Sequence, residues 1–378
     1  MTATVRQAAG SLLVVGLGAN ELTAMERAWL KLVRPGGVIL FKRNIVDPVQ
    51  TRTLLHEATG LCAPHGARCV DVEGGTVNRL REALADLPSA RAVASVARKL
   101  HRPQLAREHG ELIARAVKAF GFNTTLAPVL DLGLPEAEEV MGSRTAGADP
   151  AEVTAYARPF FAGLTAHGVA GCGKHFPGLG GGINDSHFVT PQIKRTWQLL
   201  WNQDLVPYRD LREAMPMIMI NHAAYPATPG KNRPASASGF WVTTVLRKRI
   251  GYRGIILSDD LEMGGILKFL PVEKAAVAAV STGSDLLLIC HSPELIVRSY
   301  EAMIAAGERS AVFRKLLLKR ANDVERKRQR LFARRGSRPL AARELSALRD
   351  RMLRFREMIS TSEVDTIGPR TTAPAETS

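Results

Sequence analysis

Gly36-Gly37-Val38-Ile39-Leu40-Phe41 and Gly254-Ile255-Ile256-Leu257-Ser258 decide the fold. Each is short and apolar at consecutive positions, with none of the in-and-out alternation of a half-exposed antiparallel strand. Such runs suit parallel strands buried on both faces. Working outward, six further runs of the same kind follow one another along the chain: Ser11–Leu17, Arg68–Glu73, Asn123–Leu130, Val169–His175, Met215–Asn221 and Ser284–Cys290. Amphipathic stretches such as Leu105–Phe120, Glu152–His167 and Trp241–Ile250 separate them and read as helices. Eight β/α repeats within about 300 residues predict an α/β fold of the TIM (β/α)8 barrel type. A doubly wound sheet is the rival, but Gly16-Leu17-Gly18-Ala19 after the first run lacks the third glycine of a dinucleotide-binding turn.

The 378 residues would suggest two domains at roughly 150 residues each, yet barrels of about 250 residues fold as one unit. The expected organisation is a catalytic barrel over residues 1–310 and a basic C-terminal helical extension over 311–358, broken near Gly336 and Pro339. Leu316, Leu317, Leu331, Leu345, Leu348, Leu353 and Phe355 are its candidate inward-facing positions. Beyond Ile359 the composition turns to Ser, Thr, Pro and Glu, and a disordered tail over 359–378 is expected.

Charge is distributed unevenly. Between Arg309 and Arg356 stand 17 Lys or Arg against Asp323, Glu325, Glu344 and Asp350, so this segment holds +13 of the net +15. The barrel is close to neutral, and the segment lacks the interleaved aromatics that stack on bases, so no nucleic-acid partner is expected. The four cysteines, Cys62, Cys69, Cys172 and Cys290, lack the spacing of a disulfide framework or a zinc site and read as reduced, buried thiols. No apolar run approaches the roughly 18 residues of a membrane span. Ser11–Leu17 could serve as a secretory signal only if it were not structural, so a cytoplasmic, monomeric protein is the expectation.

In such barrels the chemistry sits at the C-terminal ends of the strands. Those ends here read Asp71-Val72-Glu73-Gly74-Gly75, Asp131 with the loop holding Arg144, Lys174-His175-Phe176-Pro177-Gly178, Asn221-His222 and Ser258-Asp259-Asp260. After the fifth run, Gly178, Gly180, Gly181 and Gly182 make a mobile loop in which Asp185 and His187 lie close enough for the carboxylate to orient the imidazole. A movable acid/base is one reading of the loop, and a surface connection with a chance Asp and His is the other. Asp259 is placed to attack an electrophilic carbon, although Ser-Asp-Asp before a helix also suits an N-cap. Asp71, Arg79, Arg144, Lys174 and His175 could hold a hydroxyl-rich ligand. Each has an ordinary alternative: Glu73 could pair with Arg79, Arg144 with Asp149, and His175 could be a satisfied core histidine.

Taken together, Gly36–Phe41 with Arg43-Asn44, Asp71-x-Glu-Gly-Gly, Ala127-Pro128-Val129-Leu130-Asp131, Lys174–Gly178, Asp185-Ser186-His187, Pro234-Ala235-Ser236 and Ser258-Asp259-Asp260-Leu261-x-Met263 resemble the glycoside hydrolase family 3 β-N-acetylglucosaminidases. The resemblance spans about Leu12 to Cys290 in the family's order. It implies a single-domain bacterial exo-enzyme that trims N-acetylglucosamine from cell-wall muropeptides during peptidoglycan recycling, with a carbohydrate substrate, no cofactor and no metal. It implies Asp259 as nucleophile, His187 as acid/base tuned by Asp185, and Asp71, Arg79, Arg144, Lys174 and His175 as sugar-binding residues. The implied mechanism is retaining, through a covalent glycosyl-enzyme. A histidine in the acid/base role suits neutral pH and, being neutral as a base, does not repel the anionic nucleophile. Two positions depart from the family's usual pattern: Leu179 stands where Lys-His-Phe-Pro-Gly-His-Gly has its second histidine, and Thr76 where an arginine is usual.

Other readings remain. A phosphorylase would use phosphate in place of water, which a neutral base would tolerate. A metal-dependent barrel hydrolase could use His175, His187, His222 and an aspartate, but Gly16-Leu17-Gly18-Ala19-Asn20 offers no HxH after the first run. A non-catalytic protein could bind anionic cell wall or nucleic acid through the Arg309–Arg356 segment.

Overall fold

A computed structural model describes residues 4–181, 190–333 and 338–364. Among these residues there are ten strands: β1 (Leu13–Gly16), β2 (Gly37–Leu40), β3 (Ala67–Val70), β4 (Val72–Gly74), β5 (Val77–Asn78), β6 (Thr124–Thr125), β7 (Ala170–Phe176), β8 (Met217–Ile220), β9 (Ile255–Asp260) and β10 (Leu286–Ile289). Eight close a barrel in the order β1-β2-β3-β6-β7-β8-β9-β10, every neighbour parallel. β4 and β5 form a separate antiparallel hairpin. Every residue of β1, β2, β8 and β10 is buried, as their unbroken apolar runs require. The run Ser11–Leu17 is therefore structural, since it supplies β1. At the β1/β10 seam a Cβ on Gly16 would meet the Cys290 carbonyl oxygen at 1.9 Å, so only glycine permits closure there.

Two strands differ from expectation, each for a backbone reason. The fourth barrel strand pairs regularly only over Thr124–Thr125, short of the expected Asn123–Leu130. Pro128 has no N–H to give, and the chain continues through single contacts, Leu126 N–H to Val70 O at 3.0 Å and Leu130 N–H to Lys174 O at 2.6 Å. The third strand leaves the barrel at Val70, not Glu73, because Gly74 and Gly75 take φ of +91° and +59° and turn Val72–Asn78 into the hairpin.

The expected helices form at Gln104–Ala119 and Pro150–Ala166, the second capped by Asp149, whose carboxylate accepts the Ala151 N–H. Phe240–Arg249 is wound as a π-helix. Helices Ala311–Phe332 and Ala342–Val364 make up the basic segment. The first packs on the helices Val5–Ser11 and Pro293–Arg309, and the second on Ala90–Lys99 and Gln104–Ala119. Phe313, Leu317, Ala321, Val324, Leu348, Met352, Phe355 and Ile359 belong to the same buried core as the barrel. Leu353 instead faces solvent, and Leu316, Leu331 and Leu345 are half-buried. The second helix runs past Met358 to Val364, with Ile359 fully buried, because Met352, Phe355 and Ile359 repeat at helical spacing. The rest of the expected tail, residues 365–378, lies outside the described residues.

Part of the segment's charge has an internal role. Asp285, at the foot of β10 and 1% exposed, faces Lys327 at 2.8 Å and Arg320 at 3.6 Å, both on the helix Ala311–Phe332, and also Arg247. Burial pushes the Asp285 carboxyl up, but Arg247 and Lys327 outweigh it and hold it below the ordinary value. Arg351 pairs with Glu108 at 2.9 Å, and the buried Arg328 donates to the Ser11 carbonyl at 3.2 Å. Among the described residues no helix is long and apolar enough to cross a membrane.

Candidate active site

The C-terminal ends of the strands open into a cavity of about 870 Å³ lined by Asp71, Glu73, Arg79, Arg144, Lys174, His175, Asp259 and Asp260. Asp71 follows β3, Glu73 lies on β4, Lys174 and His175 end β7, and both aspartates end β9. Three parallel barrel strands, β3, β7 and β9, and the β4–β5 hairpin thus carry separate pieces of one rim, and apolar side chains such as Ile39, Leu126 and Met219 also line the cavity.

The polar groups form a chain of buried ion pairs. Lys174 Nζ lies 3.0 Å from Asp71 Oδ1 and 2.6 Å from Glu73 Oε1. Arg144 grips the same carboxylate with both edges of its fork, Nε to Oε2 at 2.9 Å and Nη2 to Oε1 at 2.8 Å. Glu73 is 4% exposed. Burial pushes its carboxyl up, but Arg144 and Lys174 overcome that and hold it far below the usual carboxylate range. Burial likewise pulls the Lys174 ammonium down, and Asp71 and Glu73 reverse the shift and raise it. Arg144 is raised in the same way by Glu73. Both cations are therefore fixed in position and fully charged. The Arg79 side chain lines the cavity and has a buried Nε with no hydrogen-bond partner among the described residues.

Asp131 supports this arrangement from below. Its Oδ2 accepts the His175 backbone N–H at 3.1 Å and meets ring Nδ1 at 2.6 Å, and its Oδ1 accepts the Leu179 N–H at 2.7 Å. The short contact puts the proton on Nδ1, facing the carboxylate. His175 is thus oriented by a carboxylate, while Leu179, 9% exposed, is anchored through its backbone. Asp259 Oδ1 accepts the Asp260 N–H at 2.9 Å. The next helix, Gly264–Leu267, takes no side-chain cap, so Asp259 is not an N-cap. Asp260 Oδ1 instead accepts the Glu262 N–H at 3.1 Å, and burial pushes the Asp260 carboxyl up to about 7.

The remaining motifs hold the rim together. Arg43 donates to the carbonyls of Leu17 at 3.0 Å and Cys290 at 2.7 Å. Asn44 donates to Leu17 and Ala19 and accepts the Phe41 N–H. These two residues stitch together the loops after β1, β2 and β10. Ser236 of Pro234-Ala235-Ser236 bonds His222 Nδ1 at 2.7 Å, and the other ring nitrogen meets the Asp260 carbonyl at 2.9 Å. Both nitrogens of His222 are therefore engaged.

Five of the eight expected site residues, Asp71, Arg79, Arg144, Lys174 and His175, meet Asp259 around one cavity. Asp185 and His187 lie outside the described residues. Two of the ordinary alternatives do not hold, since Glu73 pairs with Arg144 and Lys174, not Arg79, and Asp149 caps a helix; His175 is buried with its Nδ1 paired to Asp131, as a core histidine would be, and also lines the cavity. Glu73, Asp131 and Asp260 are members of the constellation that the sequence did not single out as site residues.

A closed β/α barrel whose strand ends bring buried ion pairs and an aspartate that caps no helix to one mouth cavity has the layout of a barrel enzyme, glycoside hydrolases among them. Residues 4–321 match the family model "Glycosyl hydrolase family 3 N terminal domain", and the chain belongs to that family. It is similar to a beta-hexosaminidase of Methylococcus capsulatus, 39% identical over 284 residues that cover 75% of this chain and 84% of the relative. A beta-hexosaminidase of Idiomarina loihiensis is 35% identical over 296 residues, covering 78% and 88%. Among solved structures, a family 3 β-N-acetylglucosaminidase from Paenibacillus sp. FPU-7 superposes with a TM-score of 0.83 at 28% identity, covering 94% of this chain and 69% of that one. NagZ from Neisseria gonorrhoeae, in complex with N-trifluoroacetyl-D-glucosamine, gives 0.70 at 30% identity, covering 83% and 97%.

Proposed function

We propose that the protein is a retaining exo-β-N-acetylhexosaminidase that releases terminal β-linked N-acetylglucosamine, with cytoplasmic muropeptides as the natural substrate class. The observation that carries this reading is the position of Asp259 at the end of β9, uncapped and opening on the cavity where Lys174, Arg144 and Arg79 stand. The names of the similar proteins, beta-hexosaminidase and β-N-acetylglucosaminidase, point the same way.

In this mechanism the ion-paired rim holds the sugar hydroxyls, with Asp71 and Glu73 as acceptors and Arg79, Arg144 and Lys174 as donors. Asp259 attacks the anomeric carbon while His187, oriented by Asp185, protonates the departing oxygen. The glycosyl–Asp259 ester is then hydrolysed by a water that His187 deprotonates, which returns the carboxylate and releases the sugar with its β configuration. His175 and Asp131 fix the base of the loop that carries His187.

The test is hydrolysis of an aryl N-acetyl-β-glucosaminide by the wild type beside Asp259→Ala and His187→Ala. The expected result is near-complete loss of turnover in the first and a loss in the second that is smallest for aglycones that leave readily. Undiminished turnover in Asp259→Ala would refute the mechanism.

A further inference from the structure

The helix Ala342–Val364 lies beyond residue 321, where the family match ends, and is remote from Asp259 in sequence. It nevertheless reaches the β4–β5 hairpin, which presents Glu73 and leads into Arg79, along two separate lines.

The first line is apolar. Phe355, 4% exposed, stacks on the ring of His109 with centroids 5.9 Å apart and planes at 24°. His109 is fully buried on the helix Gln104–Ala119, with Nδ1 held 2.9 Å from the Tyr156 hydroxyl. Burial lowers its imidazole to about 3, so it is a neutral plate at working pH. The turn of the hairpin rests on this plate. A Cβ on Gly74 would come within 2.9 Å of His109 Nε2 and 2.3 Å of the Pro88 carbonyl oxygen. Phe355 therefore backs His109, and His109 backs Gly74, the neighbour of Glu73.

The second line is polar. Arg356 Nη1 lies 3.8 Å from Asp86 Oδ2, and Asp86 Oδ1 accepts Arg81 Nε at 3.0 Å. Arg81 in turn donates to the carbonyl of Gly75, whose N–H is bound to Leu87 O at 2.9 Å. Adjacent residues of one helix thus meet the two adjacent glycines of one turn by unrelated interactions.

We propose that Phe355 and Arg356 are positioning residues for substrate binding, holding the hairpin at the depth at which Glu73 closes on Arg144 and Lys174. The inference rests on the reading of that network as the sugar-holding site. The network's contacts are 2.6–2.9 Å long, so a hairpin displaced by even 1 Å loses them. Asp259 is carried by β9, a strand that pairs with β8 and β10 and not with the hairpin. Loosening the hairpin should therefore weaken binding of the sugar and leave the nucleophile in place, which appears in KM more than in kcat.

The experiment measures kcat and KM for an aryl N-acetyl-β-glucosaminide with full-length Phe355→Ala, Arg356→Gln, Asp86→Asn, Glu73→Gln and, as control, Leu348→Ala. Leu348 is fully buried on the same helix but about 10 Å along its axis from Phe355. Phe355→Ala is expected to raise KM about 5- to 10-fold with kcat within about 2-fold, and Arg356→Gln and Asp86→Asn each to raise it about 2- to 3-fold. Arg356→Lys and Asp86→Glu should restore the wild-type KM. Leu348→Ala should lower the denaturation midpoint and leave KM unchanged. If Phe355→Ala does not fold, the half-exposed Arg356 and Asp86 variants decide, because neither group belongs to the core. A raised KM in Glu73→Gln beside unchanged values in the Phe355, Arg356 and Asp86 variants overturns this inference alone. An unchanged KM in Glu73→Gln overturns the reading of the site and this inference with it.

Discussion

Replacing Asp131 by Asn keeps the size and shape of a side chain that is 1% exposed and changes its charge and its hydrogen-bond chemistry. The carboxylate has three donors facing it: the His175 N–H and Nδ1 on one oxygen and the Leu179 N–H on the other. An amide has a single oxygen. If that oxygen serves His175, the NH2 meets the Leu179 N–H across 2.7 Å; if it serves Leu179, the NH2 meets the His175 N–H across 3.1 Å. Either way one buried backbone donor is left unsatisfied, at a cost of about 1–3 kcal/mol, and the charge-assisted bond to the imidazole, worth about 1.5–3 kcal/mol, is weakened or lost. The expected destabilisation is about 3–5 kcal/mol, measured by urea unfolding of wild type and Asp131→Asn at pH 7. Leu179 opens the glycine-rich loop, so the same change should lower kcat/KM on the aryl glucosaminide by roughly 100-fold through misplacement of the loop. A variant within about 1 kcal/mol of wild type and within about 3-fold in kcat/KM would show that Asp131 is not the anchor described here.

Asp285→Asn leaves Arg247, Arg320 and Lys327 around a neutral amide and should cost about 3–5 kcal/mol, read from urea unfolding; a loss below about 1 kcal/mol would mean that the helix Ala311–Phe332 docks without it. Stability should fall steeply below about pH 4, because Glu73 and Asp285 have lowered carboxyls whose contribution is complete above the unfolded value near 4 and is lost as pH falls below it. Above pH 4 opposite shifts offset each other: Asp204 and Asp260, raised by burial to about 6 and about 7, lose stability as pH rises, while the buried His109 and His222, lowered by burial, gain it up to the unfolded histidine value near 6.5. A urea midpoint that does not drop between about pH 4 and about pH 2.5 would contradict this. All four cysteines are buried, with Cys62 and Cys69 pushed up to about 12 by desolvation, so a thiol reagent at pH 8 should label them only after unfolding; rapid labelling of the native protein would contradict the packing.

The barrel was legible in the sequence because parallel strands buried on both faces leave continuous apolar runs, and β1, β2, β8 and β10 fall within theirs. What was not legible depended on single residues acting at a distance. Pro128 cut the fourth strand short, and Gly74-Gly75 turned the end of the third into a hairpin. The rim positions of Asp71, Lys174, His175 and Asp259 followed from the rule that chemistry sits at strand ends. The partnerships did not: Glu73 meets Arg144, 71 residues away, and Asp131 meets His175, 44 away. A carboxylate closing an apolar strand, as in Val129-Leu130-Asp131, was the available signal for Asp131. The charge of the C-terminal segment also changes meaning, since Arg320, Lys327, Arg351 and Arg356 face acids of the body and help to dock the helices.

The seam between β1 and β10 has a consequence for how the protein is made. Leu13 is registered against Leu287, and the helix Val5–Ser11 packs on Ala311–Phe332. A nascent chain exposes its first strand long before either partner has been synthesised, so β1 presents an unpaired apolar edge for most of translation. Ring closure is a late event that waits on the last strand, and the many contacts between distant parts of the sequence predict slow folding. Chaperone dependence during expression follows from that pairing, and intolerance of truncation near residue 320 from the packing of Val5–Ser11 on the helix Ala311–Phe332, which such a cut would shorten.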